Sequence, residues 1–418
     1  MVGKNLFSLA CTERSRSVER IYVERRRDCT FENMLVLLII SILLFIVYGS
    51  LLIYYRQAWI RIPVFEASGS LSTRMSVIIP ARNEEKNIGY CLDSILLQTY
   101  PPELFEIIVV DDHSEDNTFN IASSFGERVR CIKMADLISA DLNSYKKKGI
   151  EIGISHSTGQ LIITTDADTL VPRTWLHTIA SFYEKYHPVF IAAPVSIDPG
   201  NRFIERFQAL DFMVLQGITG AAVHKKFHKM CNGANLAYER SAFEAVNGFE
   251  GIDNIASGDD MLLMYKINKQ FPDRTMYIKS KDVIVETTPV DSLGEFFNQR
   301  IRWASKADKF GDKSLFPVLL VVYLFNLILF AVPFLSIFFN PTLSIFNYPL
   351  SIIHCWIILV LFKTLVELFF LYPVASFFNR TKMLWLFLVM QPFHILYTVV
   401  AGWLGKFGRY KWKGRKVI

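Results

Sequence analysis

Asp166 and Asp168 stand one residue apart at the end of the apolar run in LIITTDADTL (161–170). Carboxylates that close repel, and one pKa rises, unless a cation lies between them. The pair therefore either closes a turn or holds a metal ion. A second acidic pair, Asp111 and Asp112, ends the apolar run of FEIIVVDDHSEDNT (105–118). A third, Asp259 and Asp260 in ASGDDMLL, stands before the helix-like stretch MLLMYKINKQ (261–270). Each pair alone is ordinary turn or capping chemistry. A carboxylate fixed at a helix N-terminus is also a candidate general base, so one residue can do both.

These acids need strands and helices to position them. MSVIIP (75–80) reads as a strand stopped by Pro80, and a helix follows with Ile88, Leu92, Ile95 and Leu96 at three- and four-residue spacing. FEIIVVDD and GQLIITTDAD read as two further strands, and PVFIAAPVSI (188–197) as a fourth. Apolar strands alternating with helices indicate an α/β domain, a mainly parallel sheet covered on both faces. Ligands of such sheets bind beyond the carboxyl ends of the strands, so the acids of VVDD and TTDAD are expected in one crevice.

The rest of the chain is unlike a water-soluble protein. Of its 418 residues 51% are hydrophobic and 34 are Phe. The excess lies in runs at 34–55, 315–339, 349–372 and 383–404, each near the roughly 20 apolar residues that span a bilayer. They flank 56–314, which is long enough for a core of its own. Lys363 and Glu367 are four apart and share a helix face, where they are able to pair. Gln391, Pro392 and His394 interrupt the last run, which reads as a kinked span or as a re-entrant or interfacial segment. Arg56 and Arg61 after the first run, with Arg380 and Lys382 between the last two, put 56–314 in the cytoplasm, a bacterial inner membrane fitting best. The tail 405–418 carries six Lys or Arg and no acid, and is expected at anionic lipid heads on the cytoplasmic side or at the interface. Residues 1–33 read as a disordered extension, with Met34 a possible start. Six cysteines without a CxxC pair fit a reduced compartment and argue against a zinc site. The net charge of +6 is accounted for by membrane-flanking segments, and no basic and aromatic stripe suggests nucleic acid.

IIPARNEE, VVDDHSEDNT, TTDAD, GANLAY, GDD and QRIRW follow one another between residues 75 and 303. That succession resembles the inverting family 2 glycosyltransferases of the GT-A fold. One apolar run before the domain and several after it resemble the membrane-bound branch, which includes ceramide, hopanoid and carotenoid glucosyltransferases and their bacterial relatives. The resemblance implies a Rossmann-like sheet with helices on both faces, one N-terminal and two to three C-terminal transmembrane helices. It implies transfer of a single sugar from a nucleotide-diphosphate sugar, UDP-linked in preference to GDP-linked, to a membrane lipid or lipid-linked acceptor.

It also implies roles. A divalent cation, Mg²⁺ or Mn²⁺, would sit on Asp168, with Asp166 near the ribose or in the metal shell, and neutralise the departing diphosphate. Pro80, Ala81 and Arg82, with Glu84, would pack on the nucleotide, while Asp111 and Asp112 would read its base and ribose. Lys146 matches the Lys of the family's GKxxALNxG, although Glu151 replaces the usual Asn. Asp260, with Asp259 in place of the family Glu, would take the acceptor's hydroxyl proton. On an interfacial helix near 292–312, Gln299 and Arg302 would reach the diphosphate and Trp303 would line the acceptor site. Gly233 and Asn235 of GANLAY would meet the acceptor at close range. Two other readings stand: a processive polysaccharide synthase, which has the same motifs but more spans, and a nucleotide-binding membrane protein or transporter, whose path only Lys363, Glu367 and His394 could mark.

Overall fold

The computed structural model describes residues 35–69, 71–138, 144–255, 257–305, 313–338, 342–345, 348–407, 410–412 and 415–417. The expected extension 1–33 and the start at Met34 lie outside them. Four strands open the domain: β1 (Met75–Ala81), β2 (Phe105–Asp111), β3 (Arg130–Lys133) and β4 (Leu161–Thr164). They are followed by β5 (Thr169–Leu170), β6 (Phe190–Ala192), β7 (Val195–Ile197), β8 (Leu236–Glu239), β9 (Thr275–Tyr277) and β10 (Val285–Thr287). The main sheet has the order β3-β2-β1-β4-β8-β6-β9, and only β8 runs against its neighbours. A small sheet, β5-β10-β7, stands beside it.

The helices are α1 (Leu35–Arg61), α2 (Ile88–Leu96), α3 (Thr118–Ser123), α4 (Tyr145–Ser155), α5 (Trp175–Tyr186) and α6 (Phe203–His224). After these come α7 (Arg240–Ala245), α8 (Met261–Gln270), α9 (Leu293–Ala304), α10 (Leu315–Phe338), α11 (Ile352–Phe377) and α12 (Leu384–Phe407). Along β1, Val77 and Ile79 enter a core shared with α2 and α5, while Ile78 enters the core on the other face. Both faces are covered, which is why the strands are apolar without alternation.

PVFIAAPVSI does not form one strand. β6 joins the main sheet and β7 the small one, and the break falls at Pro194, which has no N–H for a ladder.

Four helices are long and apolar enough to cross a membrane: α1, α10, α11 and the stretch Thr381–Phe407. α1 continues past its apolar run, and Tyr55, Ala58 and Trp59 are buried in the core of the domain. α6 joins the two parts. A Cβ on Gly217 would fall 2.6 Å from Val374 of α11, and one on Gly220 would fall 2.7 Å from the Trp59 ring. Only glycine permits both approaches. The polar interruption of the last run does not break its helix: α12 passes through Pro392. Gln391 instead bonds to the Lys363–Glu367 pair of α11 (2.9 Å to Lys363 Nζ), and Tyr48 of α1 donates to Glu367. Both ends of α12 meet the domain. Met383 packs with the Val195 and Ile197 cluster, and Gly405 lies against Ala304 at the end of α9.

Candidate active site

The first part of the site is where β1 and β2 end side by side, Ala81 opposite Asp111. Asp112 N donates to Ala81 O at 2.8 Å. The buried Arg82 donates to the carbonyls of Asp112 (2.9 Å) and His113 (3.2 Å), so it ties the two loops together. Asn83 and His113 turn them at φ 51° and 53°. Glu84 accepts from Asn87 Nδ2 at 2.9 Å, and Pro80 is half-buried in β1. Asp111 accepts from Ser114 N through Oδ2, while its Oδ1 is buried with no hydrogen-bond partner among the described residues. A buried acceptor left open in this way marks a place for a ligand donor or a water.

The second part follows β4. Thr165 Oγ1 donates to Ala234 O and Thr169 Oγ1 to Asp166 O, both at 2.8 Å, and the turn they hold carries the half-buried Asp166 and Asp168. Lys146 on α4 stands 2.7 Å from Asp166 Oδ1 and 3.1 Å from Asp259 Oδ2. Burial works against its charge, but Asp166 and Asp259, with Asp260 behind them, outweigh burial and raise its pKa above the ordinary lysine value. Two acidic pairs distant in the chain thus share one cation.

Asp260 caps α8. One oxygen accepts from Met261 N at 2.7 Å and the other from Gly233 N at 3.3 Å. A Cβ on Gly233 would fall 3.1 Å from Asp259 Oδ2 and 3.3 Å from Lys146 Nζ, so a larger residue would press on that ion pair. Asn235 is placed differently from the sequence expectation. It is fully buried, accepts from Trp175 Nε1 and donates to the carbonyls of Pro194 and Val283. Its amide is spent on holding β8, the small sheet and α5 together, so no acceptor meets it.

The third part is α9, Leu293–Ala304 of the expected 292–312, of which 306–312 lie outside the described residues. Trp303 packs on Phe212 of α6 in the cluster that includes Ala234, which brings it beside the GANLAY loop. Gln299 Oε1 accepts from Arg300 at 2.7 Å. Arg302 is half-buried, one turn from Gln299.

Two anchors were not singled out from the sequence. Lys147 is buried and donates to the carbonyls of Ile252, Ile255 and Ser257 at 2.6, 2.6 and 3.1 Å, which fixes the loop leading to Asp259. Three consecutive lysines hid it, since a lysine run usually marks a solvated helix face. Arg300 is paired with Asp211 of α6 at 2.8 Å, beneath Tyr397 of α12, and lies 4.3 Å from the Trp303 ring centre. The Phe296, Arg300 and Trp303 spacing was the available signal: the guanidinium lies over both rings.

Among the described residues no three His, Cys, Asp or Glu side chains are gathered as a metal cage. The donors present still suit a hard cation that keeps waters and takes phosphate oxygens, since Asp166 and Asp168 offer carboxylates and an ammonium already rests on Asp166.

A mainly parallel sheet with acidic loops at the ends of β2 and β4 is a GT-A-like fold. Residues 76–246 match the family model "Glycosyl transferase family 2", and the chain therefore carries a family 2 glycosyltransferase domain. The probable glycosyltransferase YdaM of Bacillus subtilis is 25% identical over 247 residues, 58% of this chain and 57% of that protein. The 4,4'-diaponeurosporenoate glycosyltransferase of Staphylococcus aureus is 33% identical over 138 residues, 32% of this chain and 35% of that one. The chain thus matches little more than half of the first relative's length and a third of the other's. The mannosyltransferase PcManGT of Pyrobaculum calidifontis, solved with GDP-Man and Mn²⁺, superposes with a TM-score of 0.52 at 19% identity. It covers 86% of this chain and 99% of its own, a likeness of fold.

Proposed function

We propose that the protein is an inverting glycosyltransferase that moves one hexose from a nucleotide-diphosphate sugar to a hydroxyl of a membrane lipid or lipid-linked acceptor. The observation that carries this reading is the meeting of Asp166, Asp259 and Lys146 with Asp260 fixed beside them. Asp260 takes the hydroxyl proton while the acceptor oxygen attacks the anomeric carbon. The new bond forms opposite the departing diphosphate, so configuration inverts. Asp259, paired with Lys146, keeps the loop carrying Asp260 in place. Asp111, with its open Oδ1, and Asp112 read base and ribose, and Pro80, Ala81, Arg82 and Glu84 pack on the nucleotide. Lys146, Gln299 and Arg302 meet the diphosphate, for which the permanently charged, forked guanidinium of Arg302 is suited. Mg²⁺ or Mn²⁺ on Asp168, with Asp166, would supply further neutralisation of the leaving group.

Trp303 and Gly233 border the acceptor. The relative named for diaponeurosporenoate supports a lipid-like acceptor, and the mannosyltransferase solved with GDP-Man and Mn²⁺ supports metal use and keeps GDP-sugars beside the favoured UDP-sugars. In this reading α1, α10 and α11 cross a bacterial inner membrane, with the domain on the cytoplasmic side. α12 lies along α9 at the interface, which the contacts of both its ends with the domain support. The basic tail then stays on the domain's side.

The test is release of nucleoside diphosphate by detergent-purified protein, across UDP- and GDP-sugars, with and without metal and total lipid. Release that needs lipid and is abolished in Asp260→Asn is expected. Release that persists in Asp260→Asn would remove that residue from the base role, and release indifferent to lipid would remove the lipid acceptor.

A further inference from the structure

Arg300 is only 4% exposed, so its guanidinium does not reach a substrate, yet it touches two residues of α9 that the proposed reaction uses. Its donors divide between them and α6. Nε and Nη2 donate to Asp211 Oδ2 at 3.2 and 2.8 Å, and Nη1 donates to Gln299 Oε1 at 2.7 Å. The guanidinium carbon lies 4.3 Å from the centre of the Trp303 ring, which also meets Phe212, the residue after Asp211, at 6.1 Å. Arg300 is itself held from α12. Tyr397 OH donates to Asp211 Oδ1, and the Tyr397 ring packs edge-on against Phe296 at 5.3 Å. Three helices distant in the chain thus meet on one cation.

Two consequences follow for the groups around it. An arginine only donates, so the bond from Nη1 takes the oxygen of the Gln299 amide and turns its NH₂ away from the guanidinium. That leaves the donor end of Gln299 for an anionic partner, as a diphosphate requires. A cation over the ring, with Phe212 beside it, also fixes the plane of Trp303. Stability alone does not account for the arrangement, because a buried ion pair is often no more stabilising than apolar side chains of similar volume.

We infer that Asp211, Arg300 and Tyr397 form a positioning unit for the transfer reaction. Arg300 aims the amide of Gln299 at the donor diphosphate and sets the Trp303 ring against the acceptor. Asp211 and Tyr397 hold Arg300, so α12 contributes to the geometry of the site without touching a substrate. The inference rests on the transferase reading above, in which Gln299 and Trp303 meet the substrates.

The test uses the full chain in detergent, with UDP- and GDP-sugars and total lipid extract. The readouts are nucleoside diphosphate release, thermal melting and acrylamide quenching of the Trp303 emission, taken as the difference from Trp303→Phe. Arg300→Lys keeps a charge for Asp211 but loses the fork that also reaches Gln299. Release is expected to fall about tenfold with melting little changed, the worth of one charge-assisted bond. In a Gln299→Ala background the same substitution should cost less than about twofold, because the residue it acts through is gone. Arg300→Met with Asp211→Asn removes both charges, so no carboxylate is stranded and the fold is kept. In that pair release should fall about 10²-fold, the cost of a misplaced reacting geometry, and quenching of Trp303 should rise. Tyr397→Phe should lower release about fivefold through one lost bond. An equal loss for Arg300→Lys with and without Gln299, wild-type release in the neutral pair, or unaltered Trp303 quenching in that pair would each overturn the proposal. Wild-type release in both Gln299→Ala and Trp303→Ala would instead overturn the roles given to those two residues, and the quenching measurement judges the setting of Trp303 without any transfer.

Discussion

Two lysine–carboxylate clusters in this molecule have nearly the same contact distance and opposite character. Lys146 meets Asp166 at 2.7 Å in the domain, and Lys363 meets Glu367 at 2.6 Å among the apolar helices. The first is open: the Asp166 side chain is 35% exposed, and Asp111 nearby keeps a bare oxygen. The second is closed. Lys363 is fully buried, and Glu367, Gln391 and Tyr48 complete one another's bonds across three helices. A polar cluster with unfilled valences beside a crevice is suited to bind and react. One whose valences are all filled fixes helix packing, at the risk of a bare charge if any member is lost.

The comparison can be broken from either side. Asp260→Asn carries the largest expected effect: sugar transfer falls about 10²–10⁴-fold, the usual worth of a general base, with donor affinity nearly unchanged by calorimetry. Loss of donor binding instead would move Asp260 into the nucleotide shell. In the closed cluster, Lys363→Met should cost ~3–5 kcal/mol of stability by stranding Glu367, and adding Glu367→Met should restore most of it. Equal melting points for the single and double variants would show that the pair is not coupled. Asp168→Ala should weaken Mn²⁺ binding at least about tenfold by electron paramagnetic resonance, with the fold intact. An unaltered affinity would relocate the metal. Trp303→Ala should raise the acceptor KM about tenfold while leaving the donor KM alone, and the reverse split would reassign the ring to the donor.

The smallest effect is the alkaline limb of stability. Lys146 has a raised folded-state pKa, so its contribution is fully present below the unfolded lysine value of ~10.4 and is lost only as pH rises through the folded value. Lys146→Met should flatten that limb in pH-dependent unfolding.

Much of this architecture is legible in residue order. The apolar runs marked the long helices, and MLLMYKINKQ is the whole of α8, with Asp260 as its cap. Asp at the ends of continuous apolar runs marked the carboxyl ends of β2 and β4, because chain direction in a parallel sheet sets where strand ends lie. The Lys363–Glu367 pair was readable from helical spacing. These are local signals, each carried by one continuous stretch of chain.

What the tertiary structure alone decided involves contacts between distant segments. Local pattern does not say that Lys146 bridges Asp166 to Asp259, or that its neighbour Lys147 turns inward to hold the loop before Gly258. A residue's type shows what it is able to bond, whereas the neighbours that folding brings decide which bonds remain open. Asn235 illustrates this, since its amide is consumed by Trp175, Pro194 and Val283. So does the last apolar run, whose composition does not say that Met383 packs with Val195 and Ile197 or that Gly405 lies against Ala304. Sequence by itself determined the fold class, the long apolar helices and the roster of acids. Packing determined which acids meet, which polar groups are spent on structure and which are left to act, because burial and hydrogen-bond satisfaction belong to the folded chain as a whole.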